Sequence, residues 1–266
     1  MRILIVARPD LPEAVELARA ISKALPREEV LFERQTAVKL GRRGIAIESA
    51  KVEAIVTIGG DGTVLATHQR APEIPILGVN MGGIGFLADV PPEEALEAVR
   101  KLSAGQLPIR ERARLAAAVG SRRLPDALNE VVVRAASPGR TLTFNVLVDG
   151  ELAMSARGDG VIVSTPTGST AYALAAGGPI VDPRLEAMVV VPICTSRPRA
   201  SPLVVPMSSC IRVEFPERSK DALAIVDGQF TTEIRAGSGL ELKRSESPAR
   251  FFAWADEFYR KVRERL

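Results

Sequence analysis

The sequence predicts an α/β N-terminal domain on a parallel, Rossmann-like sheet, followed by a mostly β C-terminal domain. Three observations predict it. The first hundred residues alternate apolar, strand-like runs with amphipathic helical ones, the pattern of a parallel sheet covered on both faces. Beyond about residue 106, short apolar runs crowd together with little helical period. Within the first of these textures, the run "VEAIVTI" feeds straight into "GGDGT" (59–63), a glycine-rich turn of the kind that ends strands in ligand-binding sheets.

Each element follows from its own pattern. "RILIVA" (2–7) is short, continuous and β-branched, a buried strand. "DLPEAVELARAISKAL" (10–25) carries a helical stripe of Val15, Leu17, Ala18, Ile21 and Leu25, with Asp10 as candidate N-cap. "EEVLFER" (28–34), "VEAIVTI" (52–58) and "IPILGVN" (74–80) read as strands, and a short helix is expected from about Thr63. "PPEEALEAVRKLSAG" (91–105) has prolines and acids at its start and glycine at its end, so it is a helix. In the second half, the Asp149-Gly150 pair within "LVDGEL" is a hairpin signal. The tail "RFFAWADEFYRKVRERL" (250–266) reads as a helix with an apolar face. The expected division is 1–105 for the α/β domain, 106–250 for the β domain, and 251–266 for a C-terminal helix packing back on the first domain.

Composition narrows the function classes. The 266 residues are 46% hydrophobic, enough for one large core or two modest ones. Charges nearly balance, 35 basic against 32 acidic, with no block of like charge, so a nucleic-acid footprint is unsupported. No stretch approaches a membrane span or a signal peptide. Cys194 and Cys210 are too few for a disulfide framework and read as buried free thiols. One histidine and two cysteines make no common zinc site, and His68 reads as a surface or packing residue. A soluble cytoplasmic protein is expected.

Five stretches are candidate sites. In "GGDGT", glycines bare their backbone amides at the start of a helix, which suits a phosphate. A tight turn capped by aspartate explains the glycines equally well. Asp61 favours chemistry: it could hold a metal beside phosphates or take a proton from an attacking hydroxyl. No P-loop pattern is present, and the spacing is not that of a Rossmann fingerprint. "VNMGGIGFLADV" (79–90) is a second glycine cluster after the next strand, with Phe86 and Leu87 as an apolar wall. In "ALNEVVV" (127–133), Asn129 and Glu130 could read a ribose or a base, or could be the solvated start of a strand. "ARGDGVIVSTPTGSTAYALAAGGP" (156–179) sets Thr165, Thr167, Ser169 and Thr170 before a helix "AYALAA", and the four hydroxyls favour a ligand, with Tyr172 offering a ring. "AIVDGQFTT" (224–232) reads on its own as a hairpin at Asp227-Gly228, followed by the amide Gln229.

The order and separation of "GGDGT", "NMGGIGFL", "NE" and "GDGVIVSTPTGSTAY" resemble the ATP-NAD kinase family over essentially the whole chain. The resemblance implies transfer of a phosphoryl group from ATP, or another donor such as polyphosphate, to the 2′-hydroxyl of the adenosine ribose of NAD. It implies a divalent cation (Mg²⁺ or Mn²⁺), a site in the cleft between the domains, and a homodimer or homotetramer. By the family pattern Asp61 is the proton acceptor, and Gly59, Gly60, Gly62 and Thr63 line the phosphates. The NAD contacts it implies are Asp61, Gly62, Phe86, Asn129, Glu130, Arg140, Arg157, Asp159, Thr167, Thr170, Ala171, Tyr172, Ala175 and Gln229. Asn129 and Glu130 would hold the adenosine, and Arg157 and Asp159 would reach the nicotinamide half, which in this family can belong to NAD bound by an adjacent subunit. Three positions depart from the pattern. Ala66 and Ser201 stand where relatives carry arginine, with Arg197 and Arg199 near the second, and Ala175 stands where serine is frequent. "GGDGT" is shared with lipid kinases, so a lipid kinase and a non-catalytic dinucleotide-binding module are the rival readings.

Overall fold

The computed structural model describes residues 1–266 except 27–28, 84, 138, 197–199, 217–220, 236, 256 and 266. The chain divides into two compact units, Met1–Glu111 joined by Ala249–Leu266, and Arg112–Pro248.

The first unit opens with β1 (Ile3–Ala7), α1 (Pro12–Ala24), β2 (Val30–Phe32), α2 (Arg34–Leu40), β3 (Ala54–Gly59), α3 (Asp61–Arg70), β4 (Ile76–Asn80), α4 (Ala95–Ser103) and β5 (Ile109–Arg112). Every residue of β1 and β3 is buried, as strands covered on both faces require. Ile5, Val56, Ile58 and Leu77 share one core with Val15, Ala18 and Ile21 of α1 and Ala98, Val99 and Leu102 of α4. The strands β1, β2, β3 and β4 pair in parallel, with Ala7 beside Ile58 and Gly59 beside Asn80. The residues that follow β1, β3 and β4 therefore emerge along one edge: Arg8, Gly60 and Met81.

Three details differ from the sequence reading. Asp10 does not cap α1; Leu11 holds that position without a side-chain bond, and Asp10 pairs with Arg8 instead. The helix α2 lay inside a stretch with no helical reading, because seven residues are too few to show a period. Glu33 caps it by accepting the Gln35 and Thr36 amides. In the tail, the expected helix gives way to a strand at its start.

The second unit contributes β6 (Leu115–Val119), β7 (Arg122–Arg123), β8 (Glu130–Ala135), β9 (Leu142–Val148), β10 (Glu151–Gly158), β11 (Gly160–Ser164), α5 (Tyr172–Ala175), β12 (Ala187–Ile193), β13 (Leu203–Pro206), β14 (Ile211–Glu214), β15 (Ala222–Val226), β16 (Phe230–Ile234) and β17 (Gly239–Arg244). The chain then returns to the first unit as β18 (Ala249–Phe252) and α6 (Phe258–Arg265). The strand β18 takes up the phenylalanines assigned to a helix, because it pairs in parallel with β4 and buries Phe251 and Phe252. The first sheet thus runs β2-β1-β3-β4-β18-β5.

The second unit holds two antiparallel sheets, ordered β10-β9-β14-β17-β6-β7 and β13-β12-β11-β8-β15-β16. Phe144, Val146, Ile211 and Leu240 of one face Val131, Val133, Val163 and Val190 of the other in a common core. The opposite side of the second sheet is also covered: Val132, Ile162 and Val189 pack with Ala173 and Val181. Burial on both faces explains why β8, β11 and β12 are continuous apolar runs. The β9–β10 hairpin turns at Asp149 and Gly150, both with positive φ, as the Asp-Gly signal implied.

No helix among the described residues is long and apolar enough to cross a membrane. Both cysteines are free thiols, but Cys194 is exposed rather than buried, at the end of β12. His68 is a packing residue, 2% exposed, with its ring 6.2 Å from that of Phe251. Phe144 is fully buried, and Phe144→Ala should cost about 3–5 kcal/mol. Urea unfolding checks this, with the midpoint falling and the slope unchanged.

Candidate functional site

In the first unit, the glycine turn is built by Asp61. Its carboxylate reaches the second glycine cluster and accepts three consecutive amides. Phe86 N–H donates to Oδ2 at 2.8 Å, and Leu87 and Ala88 N–H donate to Oδ1 at 3.0 and 3.1 Å. Gly85 permits the approach, since a Cβ there would lie 2.6 Å from Asp61 Oδ1. The two glycine-rich stretches, some 25 residues apart, are therefore one structure. The Phe86 ring lies 6.0 Å from that of Phe258 on α6. Lys261, also on α6, bonds Asp89 at 2.5 Å.

Gly60, Gly62 and Thr63 line a cavity of about 370 Å³, together with Ala66, Arg8 and Arg70. Gly59 is buried at the end of β3 and lies outside that wall. A Cβ on Gly60 or Gly62 would meet nothing within 4 Å, so the turn presents bare backbone to open space. The first turn of α3, ten residues long, begins here with amides that have no intrahelical acceptor. The one acid in the wall, Glu33, already holds two amides of α2.

In the second unit, a second aspartate makes the same kind of contact. Asp227 Oδ2 accepts Leu128 N–H at 2.7 Å, and Oδ1 accepts Asn129 and Glu130 N–H at 2.8 and 3.0 Å. Asp227 sits at the β15–β16 turn with a φ of 48°, and its carboxylate is buried. Asn129 and Glu130 are buried as well, not solvated, and Asn129 Oδ1 and Glu130 Oε2 have no hydrogen-bond partner among the described residues. Burial first, and the Asp227 charge second, push the Glu130 carboxyl up to about 8. Burial also raises Asp227, while its three amides and Arg114 pull it back down.

The hydroxyl-rich loop after β11 behaves differently from its reading. Thr165 Oγ1 donates to Leu128 O, Ser169 Oγ to Pro166 O, and Thr170 Oγ1 to Thr167 O. Thr165 ties the loop to the start of β8, and Ser169 and Thr170 brace the loop internally. Gly168 lets it approach, for a Cβ there would lie 2.2 Å from Asn129 O. The expected helix "AYALAA" shrinks to the four residues of α5, preceded by a 3₁₀ turn at Gly168–Thr170, and is too short for a helix-end anion site. Thr167 and Ala171 are half-buried beside this loop, Tyr172 and Ala175 are exposed on α5, and Gln229 is exposed at the neighbouring hairpin tip.

Arg140, Arg157 and Asp159 lie elsewhere in the same unit. Arg157 Nε donates to Thr141 Oγ1 at 2.9 Å, and all three residues named are exposed. Ser164 pairs with Glu130, whereas Gly160, next to Asp159, pairs with Arg134. That register separates Asp159 from Glu130 by five residues, roughly 16 Å along the strand. The residues missed in the sequence are Asp227, which a hairpin reading had absorbed, and Arg8 and Arg70, which no motif marked.

The family model of the ATP-NAD kinase N-terminal domain matches residues 3–107, and that of the C-terminal domain matches 128–253. The chain belongs to the ATP-NAD kinase family. It is 42% identical to the NAD kinase of Methanothermobacter thermautotrophicus, over 100% of this chain and 96% of that one. It is 35% identical to that of Thermoplasma acidophilum, over 100% and 98%. The NAD kinase of Archaeoglobus fulgidus, solved in complex with ATP, superposes with a TM-score of 0.82 at 31% identity, over 99% of both chains. Yeast NADH kinase, solved with NADH, shares the fold, with a TM-score of 0.88 over 99% of this chain and 86% of that one at 23% identity.

Among the family departures, Ala66 lines the cavity beside the glycine turn, and Ser201 is exposed. Arg197 and Arg199 lie outside the described residues. Glu130 of this kinase-family chain carries a pH signature. Its folded value of about 8 lies above the ordinary 4.5, so between these values the folded state holds the extra proton. Stability therefore falls as pH rises through that window, and the loss is complete above it. Denaturant midpoints measured from about pH 5 to pH 9 should fall, and Glu130→Gln should flatten the fall.

Proposed function

We propose that the chain is an NAD kinase that transfers the γ-phosphoryl group of ATP to the 2′-hydroxyl of the adenosine ribose of NAD, giving NADP and ADP. Family membership across both domains and relatives named NAD kinase support the reaction. The observation that carries it is the buried pair Asn129 and Glu130, whose Oδ1 and Oε2 lack partners. A buried polar group without a partner is costly, and ribose hydroxyls both donate and accept while adenine offers an amine donor and ring-nitrogen acceptors.

In this reading Gly60, Gly62 and Thr63 form the floor for the donor phosphates, and Gly59, buried behind them at the end of β3, sets the turn. Asp61 accepts the 2′-hydroxyl proton as the ribose oxygen bonds to the γ-phosphorus and the bond to the ADP oxygen breaks. Its two oxygens hold three amides, and a carboxylate has about four acceptor positions, which leaves room for the hydroxyl. Those amides also fix the carboxylate in place, as phosphoryl transfer requires. Asn129 and Glu130 grip the adenosine, with Thr167, Thr170, Ala171, Tyr172, Ala175 and Gln229 around it.

We assign Arg140, Arg157 and Asp159 to the nicotinamide half of NAD held by a neighbouring copy, in a homodimer or homotetramer. The separation of Asp159 from Glu130 within one chain supports a shared site. Among the described residues no group of three or more His, Cys, Asp or Glu could hold a metal. The residues present do not build a resident cation site, so the divalent cation we propose is the one ATP carries on its own phosphates. The working compartment is the cytoplasm.

Asp61→Asn tests the mechanism. Turnover should fall about 10²–10⁴-fold, with NAD binding by calorimetry retained. Unchanged turnover would remove Asp61 from the chemistry. Phosphorylation of diacylglycerol and not NAD, with both offered to the native protein, would overturn the reading itself.

A further inference from the structure

The cavity beside the glycine turn carries one more inference, which rests on the kinase reading. Its walls include two arginines from different elements, Arg8 just after β1 and Arg70 at the end of α3. Both present a two-pronged fork to a surface carboxylate. Arg8 Nε and its terminal nitrogen reach Asp10 at 3.0 and 2.8 Å. Arg70 Nε and its terminal nitrogen reach Glu48 at 2.6 and 3.1 Å. Neither Asp10 nor Glu48 is part of the cavity wall.

These pairs are half-exposed, with side-chain exposures of 53% and 65% for Arg8 and Asp10, and 42% and 54% for Arg70 and Glu48. Exposed ion pairs of this kind hold their partners weakly. A phosphate accepts the same planar fork that a carboxylate does, and carries more charge. Ala66, in the same wall, adds no charge, and neither do Gly60, Gly62 and Thr63. Amides alone would leave a polyanionic donor without a cation from the protein.

We propose that Arg8 and Arg70 bind the phosphate chain of the donor, exchanging Asp10 and Glu48 for phosphate oxygens when the donor enters the cavity over Gly60, Gly62 and Thr63. The two arginines are donor-binding residues with no part in holding NAD.

The test uses the full chain with Arg8→Ala, Arg70→Ala and the double variant. Initial rates give KM for ATP and for NAD separately, and inorganic tripolyphosphate is titrated as an inhibitor competing with ATP. The expected result for each single variant is a KM for ATP raised about tenfold to a hundredfold, with KM for NAD unchanged. The tripolyphosphate inhibition constant should rise in parallel. Glu48→Gln separates this role from a structural one: freeing Arg70 should leave KM for ATP equal or lower. If Glu48→Gln raises that KM as Arg70→Ala does, the proposal fails for Arg70. It fails altogether if the double variant keeps its KM for ATP within about twofold, or if both KM values rise together. Calorimetry with tripolyphosphate alone keeps the two readings distinct. Binding by the native chain and not by the double variant upholds the site even if NAD is not the acceptor.

Discussion

The structure depends on one interaction made twice: an aspartate carboxylate accepting three consecutive backbone amides from a distant segment. Asp61 does this for residues 86–88, and Asp227 for residues 128–130. Each aspartate precedes a glycine and follows the end of a strand. Amides at the start of a strand or within a loop have no sheet partner, and leaving one buried and unpaired costs about 1–3 kcal/mol. Three on one carboxylate is therefore a large share of the 5–15 kcal/mol that typically separates folded from unfolded. The same bonds that satisfy the backbone set the candidate groups in place. In the first unit the aspartate is itself the candidate base. In the second it holds Asn129 and Glu130, whose buried Oδ1 and Oε2 have no hydrogen-bond partner among the described residues.

Much of this architecture was legible in the sequence. The strands β1, β3, β4, β8, β11 and β12 bury both faces, so their apolar runs are continuous and stand out from everything around them. The Asp149-Gly150 turn was legible because two adjacent positive φ angles suit few other residue pairs. What escaped notice was decided by partners far along the chain. Phe251 and Phe252 have helical neighbours in sequence but lie next to β4 in space. Asp227 looked like a turn residue because nothing local reveals the strand start that its carboxylate meets some 98 residues away.

The hydroxyl-rich loop is the instructive case for the site. Four hydroxyls in six residues were correctly a sign of something demanding, but the demand is largely internal. Thr165, Ser169 and Thr170 use their hydroxyls on nearby carbonyls, which frees the loop from needing regular structure. What the loop offers outward is its shape against Asn129, made possible by Gly168. Side chains that look like ligand contacts in a sequence can be the frame around the contacts. By the same logic, Arg8 and Arg70 carry no motif, yet the parallel register brings the end of β1 beside the glycine turn and so puts Arg8 at its wall.

The return of the chain to its first sheet bears on how this protein comes off the ribosome. While residues 112–248 are being made, β4 has no neighbour on one side, because its partner β18 has not yet emerged. An unpaired parallel strand edge is a template for pairing with other chains. Synthesis at about 5–20 residues per second leaves that edge open for many seconds. The second unit is contiguous and can fold meanwhile, whereas the first must wait for a strand encoded after it. A nascent chain stalled before Ala249 would thus carry a finished β unit and an unsealed α/β one, a state suited to capture by chaperones.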